Sequence, residues 1–221
     1  MINMNENERK IIKALNKIGV DTRYVSLYDN SIYINNLKFS KFSRKKEEDF
    51  GSLYPNISVV RSKLFQKICV KVSRTIKNQI KPRDIIYIED DNTPDVILLN
   101  VVLESYRRKY GITITTDRTQ ANKIVSTKCI NDFASDYINL MISGDKITSY
   151  FNENTIYPLL HIDYAWILDW IDTTNIRYKS KEKTQNETSD KIIKFLDTKI
   201  PNVSESIIQS VKYLDENTIN N

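Results

Sequence analysis

The residues with the clearest potential for chemistry form a short acidic loop. Three acids, an amide, a hydroxyl and a proline follow one another in it: Glu89, Asp90, Asp91, Asn92, Thr93 and Pro94. The apolar run Ile85 to Ile88 comes before the loop, and a helical pattern comes after it. A strand that leads into a helix through a tight turn is where many α/β proteins bind phosphate. The architecture therefore favours a nucleotide site, whereas three carboxylates and no glycine oppose one.

The physical case against tight nucleotide binding rests on three residues of this loop. Asp90 and Asp91 carry Cβ atoms and negative charges where glycines would let backbone amides approach a phosphate. Pro94 removes one N–H donor from the start of the helix. At an effective dielectric constant of about 20, a carboxylate roughly 4 Å from a phosphate charge opposes it by about 4 kcal/mol. We therefore expect no cofactor; ATP with Mg²⁺ bridging the acids would bind only if the loop is functional.

A second group of reactive residue types, Lys128, Cys129 and Asp132, lies between a short strand and a helix. A cation beside a thiol lowers the thiol pKa, so Cys129 next to Lys128 is a candidate nucleophile. The alternative, which we favour, is a small residue at the end of a strand. Cys69 lies on an apolar helix face and is expected in the core. We expect a structural or capping role for His161.

A basic stripe is the third feature. Its five members are spaced by three or four residues with no acid between them: Lys63, Lys67, Lys71, Arg74 and Lys77. Between Asn36 and Arg83, thirteen Lys and Arg stand against three acids, a net charge of +10, while the whole chain is +5. Such asymmetry indicates a polyanion partner, and we predict contact with an RNA backbone, with tRNA as the partner. The alternative is an ordinary solvated helix face.

Composition narrows the class of protein further. The 221 residues are 40% hydrophobic and 28% charged, which predicts a soluble globular chain. Two cysteines and one histidine exclude a zinc finger and a four-cysteine cluster, so we predict no metal site. No apolar run approaches the roughly 20 residues that span a bilayer, and the first ten residues are polar. We predict a cytoplasmic protein with reduced thiols.

The N-terminal third reads as a helix, a hairpin and a basic region. The predicted elements are a helix at Glu6–Ile18, strands at Arg23–Tyr28 and Ser31–Leu37, a basic helix or loop at Phe39–Phe50, and a long helix at Ile57–Ile80. Asp29-Asn30 between the two strands suits a hairpin turn. Because an isolated hairpin is marginally stable, we expect it to pack on another element.

The remainder alternates between strands and helices. A helix begins at Thr93-Pro94-Asp95 and ends at Gly111. Further strands at Ile112–Thr116 and Lys123–Ser126 are followed by helices at Asn131–Ser143, Tyr164–Thr173, Lys191–Lys199 and Ser204–Leu214. The alternation predicts an α/β fold with a parallel sheet, Ile85–Ile88 at its centre, and helices on both faces. We predict three regions. Residues 1–56 form a helix and hairpin extension, and residues 57–178 form the α/β core. Residues 179–221 form a polar linker, mobile from Lys179 to Asp190, and closing helices with a frayed end at Asn217–Asn221.

Four stretches, in this order, resemble the PP-loop ATP-pyrophosphatase superfamily, and in particular its tRNA 2-thiolation (thiouridine and thiocytidine) branch. They are Val70–Arg83, Asp84–Tyr110, Val125–Ala134, and Tyr157–Leu160 with the helices that follow it. Together they cover roughly Val70 to Leu214. The resemblance implies an adenine nucleotide alpha hydrolase-like fold and a role in tRNA modification.

The departures from the family pattern carry most of the functional prediction. Glu89 to Pro94 stand where the family's phosphate loop reads Ser-Gly-Gly-x-Asp-Ser. In the stretch Val125–Ala134, Lys128 and Cys129 occupy the positions of the family's histidine and asparagine. Of the pair of acids that the family has there, only Asp132 is present. The interval from Thr116 to Ala121 is too short for the strand, helix and thiolation cysteines that relatives place there. We therefore predict a degenerate, non-catalytic tRNA-binding subunit or accessory factor in tRNA thiolation, with a catalytic PP-loop protein as partner. The alternatives are an active ATP-dependent tRNA sulfurtransferase and an interaction domain that binds neither ATP nor RNA.

Overall fold

The computed structural model describes residues 6–144, 150–181 and 187–218. The described chain contains helices α1 to α9 and strands β1 to β7, arranged as two small sheets around a central helix. In chain order the elements are α1 (Glu6–Lys17), β1 (Val25–Tyr28), β2 (Ser31–Ile34), α2 (Leu37–Ser40), α3 (Arg44–Leu53), β3 (Ser58–Val60), α4 (Lys63–Thr75), β4 (Ile85–Tyr87), α5 (Pro94–Tyr110), β5 (Thr113–Thr115), β6 (Lys123–Val125), α6 (Ile130–Ser143), β7 (Thr155–Ile156), α7 (Tyr164–Asp172), α8 (Glu187–Asp197) and α9 (Val203–Thr218). Within the described residues, none of these helices is long and apolar enough to cross a membrane.

The predicted hairpin is present. β1 and β2 pair antiparallel, with Tyr28 opposite Ser31. Asp29 and Asn30 connect them with positive φ angles of 43° and 55°, the conformation that a two-residue hairpin turn with right-handed twist requires. The hairpin packs against α5, so it does not stand alone.

The long helix predicted from Ile57 to Ile80 is wrong at both ends. Ser58–Val60 instead form β3, which pairs in parallel with β2 and completes a three-stranded sheet. α4 begins at Lys63 because the Ser62 side chain accepts a hydrogen bond from the Phe65 amide (3.1 Å) and caps the helix. The helix ends at Thr75, before the predicted limit. The apolar spacing continued through the strand, so periodicity alone did not separate the two elements.

The second sheet has the predicted parallel arrangement. Its strand order is β5-β4-β6-β7, with β4 inside the sheet and paired in parallel to both β5 and β6. Helices flank this sheet, which confirms the predicted α/β fold class. β7 was not predicted because its two residues, Thr155 and Ile156, are too few to give a strand pattern.

α5 is the central helix, and it is buried nearly all round. Thr93 precedes it, Pro94 occupies its first turn, and Gly111 ends it with a φ of 65°. The sequence predicted one apolar face, but Glu104 and Ser105 on another face are also buried. The reason is that the N-terminal sheet covers the side of α5 that the parallel sheet leaves free.

The C-terminal helices close the fold. Trp170 of α7 stacks on Phe65 of α4 (ring centroids 5.4 Å apart) and meets Tyr33 of β2 edge-on (5.9 Å), so these rings connect α7 and α4 to the N-terminal sheet. α8 and α9 pack on α6. Of the predicted mobile segment Lys179–Asp190, residues 182–186 lie outside the described residues; so do 219–221 of the predicted frayed end.

Candidate functional site

The acidic loop projects from the carboxyl end of β4. Glu89, Asp90, Asp91 and Asn92 are exposed, and Asn92 has a left-handed φ of 58°. The Asp91 carboxylate turns back toward the chain. Its Oδ1 accepts hydrogen bonds from the Thr93 amide (3.0 Å) and from the Thr93 hydroxyl (2.7 Å). The Thr93 amide is therefore already bonded to a carboxylate of the same loop.

The first turn of α5 is filled by a second carboxylate of the chain. Asp95 is 1% exposed, and its Oδ1 accepts from the Val96 amide (3.2 Å) and lies 2.5 Å from the Thr93 hydroxyl. The Ile97 amide donates to the Thr93 carbonyl (3.0 Å), and Pro94 has no N–H. The helix N-terminus, which attracts anions, already holds Asp91 and Asp95.

Lys181 joins this loop to the second motif. Its Nζ lies 2.8 Å from Asp95 Oδ2 and 2.8 Å from Asp132 Oδ2, and 5.5 Å from the centre of the Tyr164 ring. Burial opposes the charged form of this lysine, but its close contacts with the Asp132 and Asp95 carboxylates outweigh burial and raise the pKa of Lys181. We call Asp95, Asp132 and Lys181 the carboxylate–lysine cluster.

The position of the carboxylate–lysine cluster matters because of the strand order. β4 leads through α5 to β5 on one side, while its other neighbour is β6. The connections after β4 and β6 therefore leave the sheet in opposite directions, and in open α/β sheets ligands bind in the crevice at such a point. Here Lys181 bridges that crevice, holding Asp95 after β4 and Asp132 after β6.

Sequence reasoning missed Asp95 and Lys181. Asp95 was predicted only as part of the start of a helix, and Lys181 lay in a segment predicted to be polar and mobile. The available signal for Asp95 was a carboxylate in the first turn of a helix that is otherwise strongly apolar, where burial demands a cationic partner. Lys181 follows Asp95 by 86 positions, a separation at which no local pattern relates two residues.

Cys129 is a packed residue. It is fully buried, precedes α6 as its cap residue, and its Sγ lies 3.3 Å from Asp132 Oδ2. Burial, together with the negative charge of Asp132, raises the pKa of Cys129 to about 12. Lys128 forms an ion pair with Asp136 (2.7 Å). The structure thus favours the alternative of a small residue at a strand end over an activated thiol.

The predicted basic stripe divides into two groups in the structure. Lys63, Lys67 and Arg74 are exposed on one face of α4, and Lys77 lies in the turn that follows. Lys71 is half-buried: its Nζ donates to the His161 carbonyl (3.0 Å) and lies 5.3 Å from the Trp166 ring. Within the described residues, Lys63, Lys67 and Arg74 form no ion pair. Their role in RNA binding stays a prediction.

His161 contacts two side chains of the C-terminal helix. Its Nδ1 lies 2.8 Å from Glu205 Oε2, and its Nε2 lies 3.2 Å from Lys212 Nζ. Both partners belong to α9. The histidine therefore ties the C-terminal helix to the turn that precedes α7.

Comparison with known proteins gives similarities in both sequence and structure. A probable sulfurtransferase from Methanocaldococcus jannaschii is 34% identical over 105 residues, which cover 45% of this chain and 30% of the relative. The match thus spans less than a third of that relative's length. The U34-tRNA thiolase NcsA from Methanococcus maripaludis, solved with its [4Fe-4S] cluster, superposes with a TM-score of 0.54 at 13% identity, over 69% of this chain and 79% of that one. No protein-family model matches the chain.

The residues of this chain do not fit an iron–sulfur cluster of the kind that the structural neighbour carries. Such clusters are held by cysteine thiolates, commonly four. This chain has two cysteines, and both are buried as packed side chains. Among the described residues, no group of three or more His, Cys, Asp or Glu is placed to hold a metal ion.

The two similarities agree with the resemblance found in the sequence. The structural likeness establishes the fold, and the sequence likeness is to a protein named as a sulfurtransferase. The chain thus has a PP-loop ATPase-like α/β fold, and its likeness to the PP-loop proteins of tRNA thiolation, predicted from its motifs, is confirmed.

Proposed function

We propose that this protein is a non-catalytic, tRNA-binding member of a tRNA-thiolation system. The observation that carries the proposal is the crevice at the carboxyl ends of β4 and β6. Asp91 accepts a hydrogen bond from the Thr93 amide and Asp95 accepts one from the Val96 amide at the start of α5, and Lys181 joins Asp95 to Asp132. Catalysis on a nucleotide needs donors preorganised for its phosphates, and this crevice holds the chain's own carboxylates instead.

A protein without its own catalytic centre needs a partner that supplies the chemistry. We propose a catalytic PP-loop protein in that role, since the fold is one whose relatives modify tRNA. Affinity purification of the tagged protein from its native cell is expected to recover a tRNA-modification enzyme. Recovery of no such enzyme would argue for a stand-alone domain.

The exposed cations of α4 support the RNA-binding part of the proposal. Lys63, Lys67 and Arg74 form one ridge, and the eleven steps from first to last rise about 16 Å at about 1.5 Å each. That length follows several phosphates of a strand. The opposite face of α4 is anchored by Phe65, Ile68 and other buried side chains, so the ridge is held outward. Each phosphate neutralised should add roughly −0.7 to −0.9 to the slope of log affinity against log salt.

Charge reversal on this ridge tests RNA binding. The variant Lys63→Glu, Lys67→Glu, Arg74→Glu should bind tRNA more weakly, with a salt slope smaller in magnitude by about 2 to 3, because up to three phosphate contacts are lost. Filter binding across a salt series measures both quantities. Lys71 is left unchanged because it contacts the His161 carbonyl and the Trp166 ring.

A matched control separates local contact from net charge. The variant Lys10→Glu, Lys13→Glu, Lys17→Glu makes the same change in charge on α1, where all three lysines are exposed. It should keep a wild-type salt slope. Equal losses in both triple variants, or tRNA binding unchanged in the α4 variant, would leave the solvated-face interpretation in place.

The 34% identity to a probable sulfurtransferase favours a second function, ATP-dependent tRNA sulfur transfer through an unorthodox loop. Under that function the carboxylate–lysine cluster would have to open to admit ATP. Nucleotide binding distinguishes the two functions directly.

A further inference from the structure

A pocket with aromatic walls lies beside the basic ridge of α4. Its volume is about 310 Å³, at the lower end of the range of small-molecule sites. It is formed where α4 and α5 meet the segment between β2 and α2, and its walls include Tyr24, Phe39 and Tyr106. We call it the aromatic pocket. It is remote in the fold from the carboxylate–lysine cluster and plays no part in the crevice at the sheet.

Tyr106 belongs to the core, whereas Phe39 at the mouth of the aromatic pocket is half exposed. The ring centroids of Tyr24 and Phe39 lie 5.2 Å apart, and the ring planes are tilted by 32°. Phe39 is nevertheless 52% exposed, on a helix of one turn that the Asn36 side chain caps by accepting from the Phe39 amide (3.1 Å). A phenylalanine fixed in place by a cap and half open to solvent presents a free aromatic face.

Two cations line the same pocket. Lys109 Nζ lies between two rings, 4.8 Å from the centre of Tyr24 and 4.9 Å from that of Tyr106. Arg74 lines the pocket and also belongs to the exposed ridge of α4. The ridge and the pocket therefore share a residue, so a strand that follows the ridge reaches the mouth of the pocket.

A shallow groove of about 580 Å³ continues the surface on the other side of Val70. Lys63, Lys67 and Lys71 line it, with Trp166 as its aromatic wall. Val70 and Asn36 line both depressions, and Val70 is 38% exposed between them. Cations alternate with aromatic and apolar faces along one continuous surface.

We propose that the aromatic pocket binds one unpaired base of the RNA strand whose backbone follows the ridge of α4. This inference rests on the proposed RNA binding and adds that the RNA is single-stranded at this point. Unstacked bases are recognised by aromatic side chains and by the planes of cationic groups, as in many proteins that bind single-stranded RNA. Lys109 held against two rings supplies a cation at the pocket wall.

The surface fits a base better than an acidic peptide or a free nucleotide. A peptide carboxylate would use the cations but not the exposed face of Phe39. The cations outside the pocket lie along α4 rather than around one phosphate, which suits a chain of phosphates. Duplex RNA keeps its bases stacked and would contact the ridge alone.

The test compares an unpaired 12-nucleotide RNA with a blunt duplex of the same length by fluorescence anisotropy. Wild-type protein should bind the unpaired strand more tightly. Phe39→Leu keeps an apolar contact with Tyr24 and removes the ring, and it should weaken binding of the unpaired strand by roughly 5- to 150-fold, as loss of one stacked base does. Its duplex affinity and salt slope should stay at wild-type values.

Phe195→Leu is the matched control, because Phe195 on α8 is 63% exposed and belongs to no part of this surface. It should bind both RNAs as wild type does. Equal affinity for strand and duplex, or wild-type binding by Phe39→Leu, would overturn the inference.

The outcomes also separate the base pocket from the proposed RNA binding. If the α4 triple variant weakens binding while Phe39→Leu does not, RNA binding stands and the base pocket fails. If neither RNA binds to the wild-type protein, the proposed function itself fails.

Discussion

Lys181 is the residue that most changes the meaning of the site. Without it, Asp95 would be a buried carboxylate at a helix N-terminus and Asp132 a capping acid of α6. With Lys181 2.8 Å from both, the segment after β4 and the segment after β6 are joined to each other. A lysine in this place supplies the cation that the buried Asp95 needs.

Replacing Lys181 should destabilise the fold. Lys181→Met keeps an unbranched apolar stem and leaves the Asp95 carboxylate buried without its cation, at an expected cost of about 1–3 kcal/mol in the free energy of unfolding. Urea denaturation at pH 7 measures the change. Lys191→Met is the control, because Lys191 pairs with Glu187 on an exposed face and should change stability by about 0.5 kcal/mol or less.

The pH dependence of the same comparison follows from the raised pKa of Lys181. A lysine whose pKa is raised by folding contributes stability below its ordinary pKa of about 10.5, and that contribution is lost as the pH rises through the folded value. The difference in the free energy of unfolding between wild type and Lys181→Met should therefore be constant from pH 7 to 9 and should shrink only above pH 10.5. A difference that shrinks between pH 7 and 9 would contradict this assignment.

At the scale of elements, α5 organises the molecule because two sheets pack on it. Glu104 and Arg108 form a largely buried ion pair on its N-terminal-sheet side. Glu104 Oε2 also accepts from the Leu27 amide (2.9 Å), and the Arg108 guanidinium donates to the carbonyls of Thr22 (2.8 Å) and Val25 (2.6 Å). This pair fixes the hairpin on the helix.

Breaking that pair should be costly. Glu104→Ala leaves the Arg108 guanidinium buried without its carboxylate and the Leu27 amide without its acceptor, so we expect a loss of about 3–5 kcal/mol in the free energy of unfolding. Thermal or urea unfolding measures it. Glu6→Ala, which breaks the exposed pair with Lys10, should have almost no effect. Similar changes for the two variants would show that the buried pair is not what anchors the hairpin.

The elements that were predicted correctly are those whose ends carry strong local sequence signals. α5 was readable from Thr93-Pro94 at its start and Gly111 at its end, and the hairpin from Asp29-Asn30. β3 was not, because the apolar spacing of Ser58–Val60 runs without interruption into that of α4. The aromatic pocket and the carboxylate–lysine cluster depend on contacts between distant segments, such as Tyr24 with Lys109, and no local pattern specifies them.

The whole molecule combines a PP-loop ATPase-like fold with two surfaces of opposite character. The carboxyl end of the parallel sheet is acidic and bridged by its own lysine. The face of α4 is basic and continues into the aromatic pocket. An electrostatic layout of this kind attracts a polyanion to α4 and repels one from the β4 loop. It fits a protein that holds RNA while another protein performs the chemistry.

Isothermal titration calorimetry with ATP and excess Mg²⁺ tests the central claim most directly, together with an assay for pyrophosphate in the presence of tRNA. We predict an ATP dissociation constant weaker than about 1 mM, which corresponds to less than about 4.1 kcal/mol of binding free energy, and no release of pyrophosphate. Micromolar ATP binding, or pyrophosphate released in the presence of tRNA, would contradict a non-catalytic role and would establish that the carboxylate–lysine cluster opens to admit the nucleotide.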